Sequence, residues 1–442
     1  MSILKKMSWV TFGTILGVIL VLGTSVLAKN VLDDTSGSVN NEINLPLSEL
    51  RSFVEVYERI SKNYVEPVDD KKLLEGAISG MLSNLDPHSA YLPPENFKKM
   101  EEHTTGDFGG LGMEVAMENG LIKIVSPIDD TPAKRAGILS GDLVIKLDDE
   151  RVKGKTLMEA IKIMRGKPGT KIKLTILREG EGKPLVLELT RAIIKTTSVK
   201  QKLLTSNIGY VRISQFQLRT GGDLLKAIST LEEENKQPLN GLVLDLRNNP
   251  GGVLRAAVEV SDAFLGDGLI VYTEGRNKNS KIIFEAKEGD VMKGLPIVVL
   301  INEGSASASE IVAGALQDHK RALIIGRESF GKGSVQTLMP LNNGGAIKVT
   351  TARYYTPNGH SIQAKGIVPD IVIDRVKIEK IKTTGFERIK EKDLDGHLEN
   401  TESVKVTSLK DKTVSELFDK DYELKEAYSL LKGMFFSHKM NK

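Results

Sequence analysis

Two apolar runs in the second half of the chain predict buried strands, and each run is followed by a glycine-rich turn. Residues 295–301 (LPIVVLI) precede the first turn, and residues 322–325 (ALII) precede the second. Continuous apolar runs of this length are typical of strands buried on both faces of a parallel or mixed sheet. After the first turn, apolar residues recur at the spacing of a helix, at Ile311, Val312, Ala315 and Leu316. The pattern predicts a strand–turn–helix unit and a strand–turn unit in one sheet.

Helical spacing of apolar residues also predicts helices near both ends of the chain. One begins at Leu47, a second follows Asp69 and Asp70, and a third near the C-terminus presents Leu424, Ala427, Leu431 and Met434 on one face. The first two faces predict ordinary packing surfaces. The C-terminal face is expected to dock on its own domain, with self-association into a homodimer as the alternative.

The composition of the chain excludes or disfavours several classes of function. A chain of 442 residues with 40% hydrophobic and 27% charged residues predicts two to four ordinary globular domains. The net charge of +3 is too small to indicate a nucleic-acid partner. The absence of cysteine excludes disulfides, zinc bound to thiolates and a cysteine nucleophile.

The N-terminus predicts a membrane anchor. Lys5 and Lys6 precede 22 uncharged residues, 7–28, whereas the apolar part of a cleaved signal peptide has only about 7–15 residues. We therefore favour an uncleaved single-pass helix over a signal peptide, although residues 26–28 resemble a cleavage site. The lysines before this segment place the body outside the cytoplasm, and residues 30–46 predict a short tether.

The first glycine-rich turn offers a candidate nucleophile. Ser307 and Glu310 fit a capping box at the start of the predicted helix. A serine there lies among free backbone N–H groups, which can stabilise an oxyanion after attack on a carbonyl. An isolated pattern of this kind is more often a structural cap, and its spacing does not choose among Ser305, Ser307 and Ser309.

The second turn carries a lysine and has a competing interpretation. Residues 326–332 match GxxxxGK, the beginning of a phosphate-binding loop. However, Gly333 occupies the position where that motif needs Ser or Thr, and the following residues alternate like a strand. Both departures disfavour a nucleotide site.

Together with other segments, these turns resemble the carboxy-terminal processing proteases, a family of Ser–Lys peptidases. The resemblance runs from about residue 47 to residue 374. It rests on GSASASE (304–310), FGKGSVQ (330–336), LDPHSAYL (85–92), GYVRI (209–213) and LDLRNNPGG (244–252). It implies Ser307 as nucleophile, Lys332 as general base and Gln336 as the residue that orients the lysine. It also implies an oxyanion hole from the backbone N–H of Ala308 with one from Gly251 or Gly252.

Elementary chemistry is compatible with those roles. A serine hydroxyl is a weak nucleophile that needs an adjacent base. A lysine, with an ordinary pKa near ~10.4, serves as that base only when burial lowers its pKa. Gln336 lies four residues after Lys332 and is expected to share its face of a strand, so that its carbonyl oxygen can accept a hydrogen bond from the lysine.

Residues 104–192 resemble a PDZ domain. Phe108, Gly109, Gly110, Leu111, Gly112 and Met113 are similar to its carboxylate-binding loop, and residues 132–142 (PAKRAGILSGD) are similar to a turn common in bacterial members. Such a loop binds a C-terminal carboxylate while the tail adds as a strand. Leu157, Ile161 and Met164, on a predicted helix, are expected to contact the last side chain of the tail. Arg165 ends that helix and is a candidate for a regulatory ion pair across the domain boundary.

The remaining candidates are histidines and metal ligands. None of the six histidines lies in a spacing typical of a triad or a metal site, although His319 and His360 leave a Ser–His hydrolase formally open. We expect no metal and no cofactor. The predicted architecture is α+β and multidomain. It comprises an anchor (1–29), a tether (30–46), a helical segment (47–103), a PDZ domain (104–192), a mixed α/β protease core (193–374) and a charged helical C-terminal region (375–442).

The predicted function is therefore that of a membrane-anchored, extracytoplasmic Ser–Lys endopeptidase. Its expected substrates are proteins with exposed apolar C-terminal tails. A catalytically silent, membrane-tethered PDZ adaptor is the alternative.

Overall fold

The computed structural model describes residues 46–128, 130–277, 281–376, 394–395, 397 and 412–440. It divides into two compact units, one ending at Ala77 and the other beginning at Ile78. The predicted anchor (7–28) and nearly all of the tether lie outside the described residues. Of the helices that are described, none is both long and apolar enough to cross a membrane.

The first unit contains helix α1 (Leu47–Asn63) and the beginning of α2 (Asp70–Ser83). Both helices lie where the apolar spacing predicts them. The apolar side chains of α1 line an open groove with those of the first half of α2, and α1 has no buried residue.

The PDZ region forms its own small core. β3 (Met113–Glu118), β4 (Leu121–Pro127), β5 (Leu143–Leu147), β7 (Lys171–Leu177) and β8 (Leu185–Thr190) make one sheet, and β6 (Glu150–Arg151) pairs with β5. Helices α4 (Pro132–Arg135) and α5 (Leu157–Met164) accompany this sheet. β2 (Asp107–Gly110) pairs with β9 (Ala192–Lys195), so both ends of the region leave it side by side.

A six-stranded mixed sheet lies at the centre of the second unit. Its order is β10 (Val199–Leu204), β11 (Ile208–Ile213), β12 (Gly241–Asp245), β15 (Ile297–Ile301), β16 (Leu323–Gly326) and β19 (Ile371–Val372). β10 is antiparallel to β11, and the other neighbouring strands are parallel. β12 and β15 are buried along their whole length, which explains their uninterrupted apolar sequences.

Helices cover both faces of this sheet. α6 (Thr220–Asn235), α7 (Leu254–Asp262) and α8 (Ala308–Asp318) pack on one face. α9 (Lys412–Lys420) and α10 (Tyr422–Met440) pack on the other. The apolar face of α10 is buried against its own sheet, where Leu424, Ala427 and Leu431 are almost completely covered. This face therefore docks within the chain, the first of the two predicted alternatives.

A second sheet lies beside the site. It has the order β1 (Ala90–Leu92), β18 (Ala346–Tyr355), β13 (Leu269–Gly275) and β14 (Ile282–Glu285), with β17 (Ser334–Pro340) also paired to β18. Helix α3 (Pro94–Thr105) follows β1 and leads into the PDZ region.

Candidate active site

Three loops that follow neighbouring parallel strands meet at one edge of the central sheet. β12, β15 and β16 lie side by side and run in the same direction, so their carboxyl ends share an edge. The loop after β12 carries Gly251 and Gly252, the loop after β15 carries Ser307, and the loop after β16 carries Lys332. The topology thus brings together the residues that the sequence places on separate turns.

Ser307 immediately precedes α8 and has an unusual backbone conformation. Its φ of 55° and ψ of −110° lie in a region that side-chain-bearing residues rarely adopt. Such conformations cost on the order of 1–3 kcal/mol and cluster at functional sites, where the surrounding structure enforces them. The residue is only 8% exposed.

The three serines of this turn have different hydrogen-bond partners. Ser305 donates its hydroxyl to the Leu246 carbonyl at 2.8 Å, and Ser309 donates its hydroxyl to the Asn249 carbonyl at 2.9 Å. Both serines are completely buried. Their hydroxyls tie the turn to the loop after β12, whereas the Ser307 side chain meets the phenol of Tyr354. Ser305 and Ser309 thus donate their hydroxyls to main-chain carbonyls, whereas the Ser307 hydroxyl pairs with another side chain.

The Glu310 carboxylate joins the serine turn to the lysine turn. Oε2 accepts the backbone N–H of Ser307 at 2.7 Å and that of Lys332 at 2.9 Å. Oε1 accepts the backbone N–H of Gly331 and the hydroxyl of Ser329, both at 2.6 Å. The residue that the sequence identified only as part of a capping box is thus a fully buried link between the two turns.

Lys332 lies in an environment that favours its neutral form. Burial lowers the pKa of its ammonium group, and the positive charge of Lys348 on β18 lowers it further, while the charge of Glu310 opposes the shift. The net effect is a pKa below the ordinary value. A larger fraction of neutral amine is therefore available near neutral pH than in an exposed lysine.

Tyr354 approaches both turns from β18. Its backbone N–H donates to the Gly333 carbonyl at 2.7 Å, and its side chain forms a hydrogen bond with that of Ser307. Burial raises the pKa of the phenol to about 12, although the bond to Ser307 acts in the opposite direction. The phenol is therefore neutral at physiological pH. Nothing in the sequence near Ser307 indicates this partner, because it comes from a distant strand.

Gln336 lies near the lysine turn but not as predicted. Lys332 precedes β17, which begins at Ser334, so Lys332 and Gln336 do not lie on one regular strand as expected. The pairing of β17 with β18 shifts register between Val335 and Gln336, and the extra residue, Thr351, belongs to β18. The Gln336 amide nitrogen donates to Ser334 Oγ at 2.9 Å and to Thr350 Oγ1 at 3.4 Å.

The LDPHS segment forms a turn beside the lysine. Asp86 Oδ1 accepts hydrogen bonds from the backbone N–H groups of His88 and Ser89 at 2.8 and 3.0 Å. Ser89 Oγ accepts the backbone N–H of Thr350 at 3.1 Å. Burial lowers the pKa of His88, and the charges of Lys332 and Lys348 lower it further, while the charge of Asp86 opposes the shift. The neutral form of His88 is therefore favoured relative to that of an exposed histidine.

The glycine loop after β12 lies against the serine turn. A Cβ atom on Gly251 would lie 2.8 Å from Ser307 Cβ and 3.0 Å from the nitrogen of Ala308. Gly252, with a φ of 144°, has no room for a side chain because the Phe216 carbonyl would lie 2.1 Å away. The backbone N–H of Gly251 donates to Asn249 Oδ1 at 2.9 Å, so of the two glycines Gly252 is the better candidate for an oxyanion donor.

The structure disfavours the competing chemistries. His319 lies at the far end of α8 from Ser307, about 18 Å away at about 1.5 Å per residue, and its Nε2 contacts the Leu269 carbonyl at 2.7 Å. Lys332 is followed by strand β17 and not by the helix that a phosphate-binding loop requires. Within the described ranges, no group of three His, Asp or Glu residues could hold a metal ion.

The two motifs that indicate a PDZ domain are in contact. The Ala133 N–H donates to the Leu111 carbonyl at 2.8 Å, and Thr131 Oγ1 donates to the Gly112 carbonyl at 2.9 Å. Gly112 has a φ of 77°, and a Cβ there would lie 2.2 Å from that of Thr131. Glycine is therefore required for the loop to pass this close.

The predicted tail-contacting residues lie on α5. Leu157 and Ile161 are partly exposed, whereas Met164 is buried in the core of the PDZ region. The first two are therefore the more accessible to a bound peptide. A capping box between Thr156 and Glu159 determines where α5 begins.

Arg165 follows α5 and reaches out of the PDZ region. Its guanidinium lies 4.4 Å from the centre of the Phe108 ring and 3.5 Å from the Glu102 carboxylate on α3. Arg165 thus forms an ion pair across the predicted domain boundary. Its side chain is half-exposed, so the pair contributes little to stability, about 0–1 kcal/mol.

Comparison with known proteins agrees with this architecture. Residues 207–373 match peptidase family S41, residues 109–189 match a PDZ domain, and residues 13–96 match the N-terminal domain of the activating protease CtpB. A carboxy-terminal-processing protease of Bartonella bacilliformis is 49% identical over 415 residues, covering 93% of this chain and 95% of that protein. A CtpA-like serine protease of Staphylococcus aureus is 35% identical over 375 residues, covering 84% and 74%.

Among solved structures, a photosystem II D1 C-terminal processing protease shares 30% identity, with a TM-score of 0.42, over 74% of this chain and 93% of that one. The long Bartonella match identifies the family without reference to that structure. This chain belongs to the carboxy-terminal processing proteases of peptidase family S41, serine-type peptidases that here carry a PDZ domain.

Proposed function

We propose that the chain is an endopeptidase that cleaves through an acyl-enzyme, with Ser307 as nucleophile and Lys332 as general base. One observation carries the proposal. Of the three serines in the turn, Ser305 and Ser309 donate their hydroxyls to main-chain carbonyls, whereas the Ser307 hydroxyl pairs with the phenol of Tyr354. The turn of Ser307 is joined through Glu310 to the turn of a lysine with a lowered pKa.

In the first half of the reaction, the neutral amine of Lys332 takes the proton of the Ser307 hydroxyl. The serine oxygen then bonds to the substrate carbonyl carbon. The Lys332 ammonium returns the proton to the leaving amine as the C–N bond breaks. In the second half, water attacks the ester carbonyl carbon while Lys332 accepts its proton. The bond between that carbon and the serine oxygen then breaks, the Lys332 ammonium returns the proton to the serine oxygen, and the carboxylic acid product leaves.

The developing oxyanion needs donors that are already in place. The backbone N–H groups of Ala308 and Gly252 are the candidates, because the glycine loop packs directly against the serine turn. Gln336 is proposed to orient Lys332 through its carbonyl oxygen, since its amide nitrogen is engaged elsewhere. Each backbone N–H donor of a preorganised oxyanion hole typically lowers the activation free energy by about 2.7–4 kcal/mol.

The proposed substrates are proteins with exposed apolar C-terminal tails. The segment 108–113 supplies the carboxylate-binding loop, and Leu157 and Ile161 provide an apolar surface for the last side chain. Residues 7–28 are proposed to anchor the chain in the membrane, with the protease body outside the cytoplasm.

The experiment is a cleavage assay with the purified full chain. An unfolded protein ending in apolar residues is incubated with chelator and without nucleotide, beside the same protein ending in acidic residues. We expect cleavage of the first and much slower cleavage of the second. No cleavage, or cleavage that requires a metal or nucleotide, would contradict the proposed function.

A further inference from the structure

The two C-terminal helices contribute to the active-site edge of the sheet as well as to its packing. They lie outside residues 207–373, which match the peptidase family, and α10 covers the sheet face opposite α8. Two carboxylates lie at the beginning of α10. Asp421 immediately precedes the helix, and Glu423 lies in its first turn.

Both carboxylates bind Arg247 in the loop after β12. Asp421 accepts two hydrogen bonds from the guanidinium, at 2.7 and 2.9 Å, and Glu423 Oε2 accepts one at 2.7 Å. Asp245 binds the other side of the same group, at 2.7 and 3.0 Å. Arg247 precedes Gly251 and Gly252 in this loop, so its position bears directly on the proposed oxyanion donors.

The second oxygen of Glu423 binds a different catalytic loop. Oε1 accepts a hydrogen bond from Arg327, which lies in the loop after β16 that leads to Lys332. Arg327 also donates through Nε to Glu303 at 2.8 Å, and Glu303 lies in the loop after β15 that leads to Ser307. One carboxylate thus pairs with arginines of two loops, and the second arginine extends the link to the third loop.

These ion pairs are shielded from solvent. The side chains of Arg247, Arg327 and Glu423 are 11%, 17% and 16% exposed. Burial opposes the charge on Arg247, but its hydrogen bonds to Asp421 and Asp245 outweigh that effect and raise its pKa. Charge-assisted bonds in such surroundings hold their geometry, and removing one partner leaves an uncompensated charge.

We propose that Glu423 is a positioning residue for the active site. It holds the oxyanion loop and the lysine loop in the spacing that catalysis requires, so that the C-terminal helices determine turnover as well as stability. The inference rests on the proposed function and extends it to a part of the chain beyond the matched peptidase domain. Because a displacement of about 1 Å can reduce a rate by about 100-fold, losing this link should affect catalysis more than folding.

The test compares two α10 variants in the full chain. Glu423→Gln keeps the shape of the side chain but offers one acceptor atom to two arginines. Leu431→Ala removes a completely buried side chain from the same helix, away from the ion pairs. For each variant, kcat and KM on a tailed substrate, the labelling rate of Ser307 by a fluorophosphonate, and the thermal midpoint are measured well below unfolding.

We expect Glu423→Gln to lose at least about tenfold in kcat and in labelling rate, with an unchanged KM for the tailed substrate. Leu431→Ala should lower the thermal midpoint more while it keeps kcat. Unchanged kcat in Glu423→Gln would overturn the inference, as would equal losses of kcat in both variants, which indicate a purely structural role. A wild-type chain that does not cleave, or a Ser307→Ala chain that does, would instead overturn the proposed function and the inference with it.

Discussion

Ser307 and Lys332 donate their backbone N–H groups to the same carboxylate oxygen, Oε2 of Glu310, at 2.7 and 2.9 Å. The candidate nucleophile and the candidate base are therefore positioned by one buried group, although they follow different strands. The same charge acts on the chemistry of the pair, because it raises the pKa of Lys332 against the effect of burial.

The first prediction concerns Glu310→Gln. An amide offers one acceptor atom where the carboxylate accepts four hydrogen bonds, so we expect kcat to fall about 10–100-fold, as for bonds to charged groups. Removing the negative charge should also let the pKa of Lys332 fall further, so the rise of rate with pH should move to lower pH. The measurement is the pH–rate profile of each protein, with the thermal midpoint as a control for folding. A lower rate with an unshifted profile would contradict the electrostatic part of this prediction.

The second prediction concerns the three serines. Ser307→Ala should lose several orders of magnitude in cleavage rate, because a covalent nucleophile is removed, while tail binding is kept. Ser305→Ala and Ser309→Ala each lose one buried hydrogen bond to a main-chain carbonyl, which should cost about 1–3 kcal/mol in stability and leave cleavage measurable. Cleavage rates and thermal midpoints of the three variants provide the test. An active Ser307→Ala beside an inactive Ser305→Ala or Ser309→Ala would show that the nucleophile is another serine.

The third prediction concerns the phenol of Tyr354. With its pKa raised to about 12, it cannot exchange its proton usefully near neutral pH, so its role is to orient the Ser307 side chain. Tyr354→Phe should therefore reduce kcat by no more than about tenfold, the value of one hydrogen bond. The pH at which the rate rises should not change. A shifted profile, or a loss as large as that of Lys332→Ala, would indicate that the phenol takes part in proton transfer.

The fourth prediction concerns Arg165 and its contact with Glu102. We hypothesise that tail binding favours the active arrangement and that Arg165 transmits part of this effect across the domain boundary. Arg165→Ala should leave the thermal midpoint nearly unchanged, because the pair is half-exposed. It should reduce the ratio of cleavage rates between tailed and untailed substrates. Deletion of residues 104–192 removes the whole PDZ region and should have a larger effect than Arg165→Ala. If either variant cleaves tailed and untailed substrates with unchanged kinetics, the hypothesis is contradicted.

The local part of the site was predictable from the sequence. Apolar runs before residues 302 and 327 predict buried strands, and β15 and β16 lie there. The helical spacing of four apolar residues predicts a helix after Ser307, and α8 begins at Ala308. These residues are Ile311, Val312, Ala315 and Leu316. These features depend on neighbours along the chain, which is why periodicity and capping residues indicate them.

The long-range part of the site was not predictable. Apart from the family resemblance, the distinction of Ser307 from its neighbours rests on bonds from Ser305 and Ser309 to carbonyls 59 and 60 residues away. The contact of Glu423 with Arg247 spans 176 residues. The register shift beside Gln336 belongs to the pairing of β17 with β18, a long-range contact between two strands. Such relationships follow from the assembled sheets, and no short pattern in the chain encodes them.

The last prediction tests the central claim, that Lys332 is the base that activates Ser307. Its pKa lies below the ordinary value of 10.5, and the base must be deprotonated to act. The acylation rate of Ser307 should therefore rise with pH as the ammonium group loses its proton. Arginine, with a pKa above about 12, cannot lose its proton in this range. Lys332→Arg should thus be as inactive as Lys332→Ala, although it keeps the positive charge.

The most direct measurement is the rate of covalent labelling of Ser307 by a serine-directed ester across pH, with chelator present, in the wild-type chain and in Lys332→Arg. Tail binding and the thermal midpoint of the variant show that it is folded. We predict a rate that increases with pH in the wild type and no detectable labelling in Lys332→Arg at any pH. Substantial labelling in Lys332→Arg, with the pH dependence preserved, would show that another group is the base.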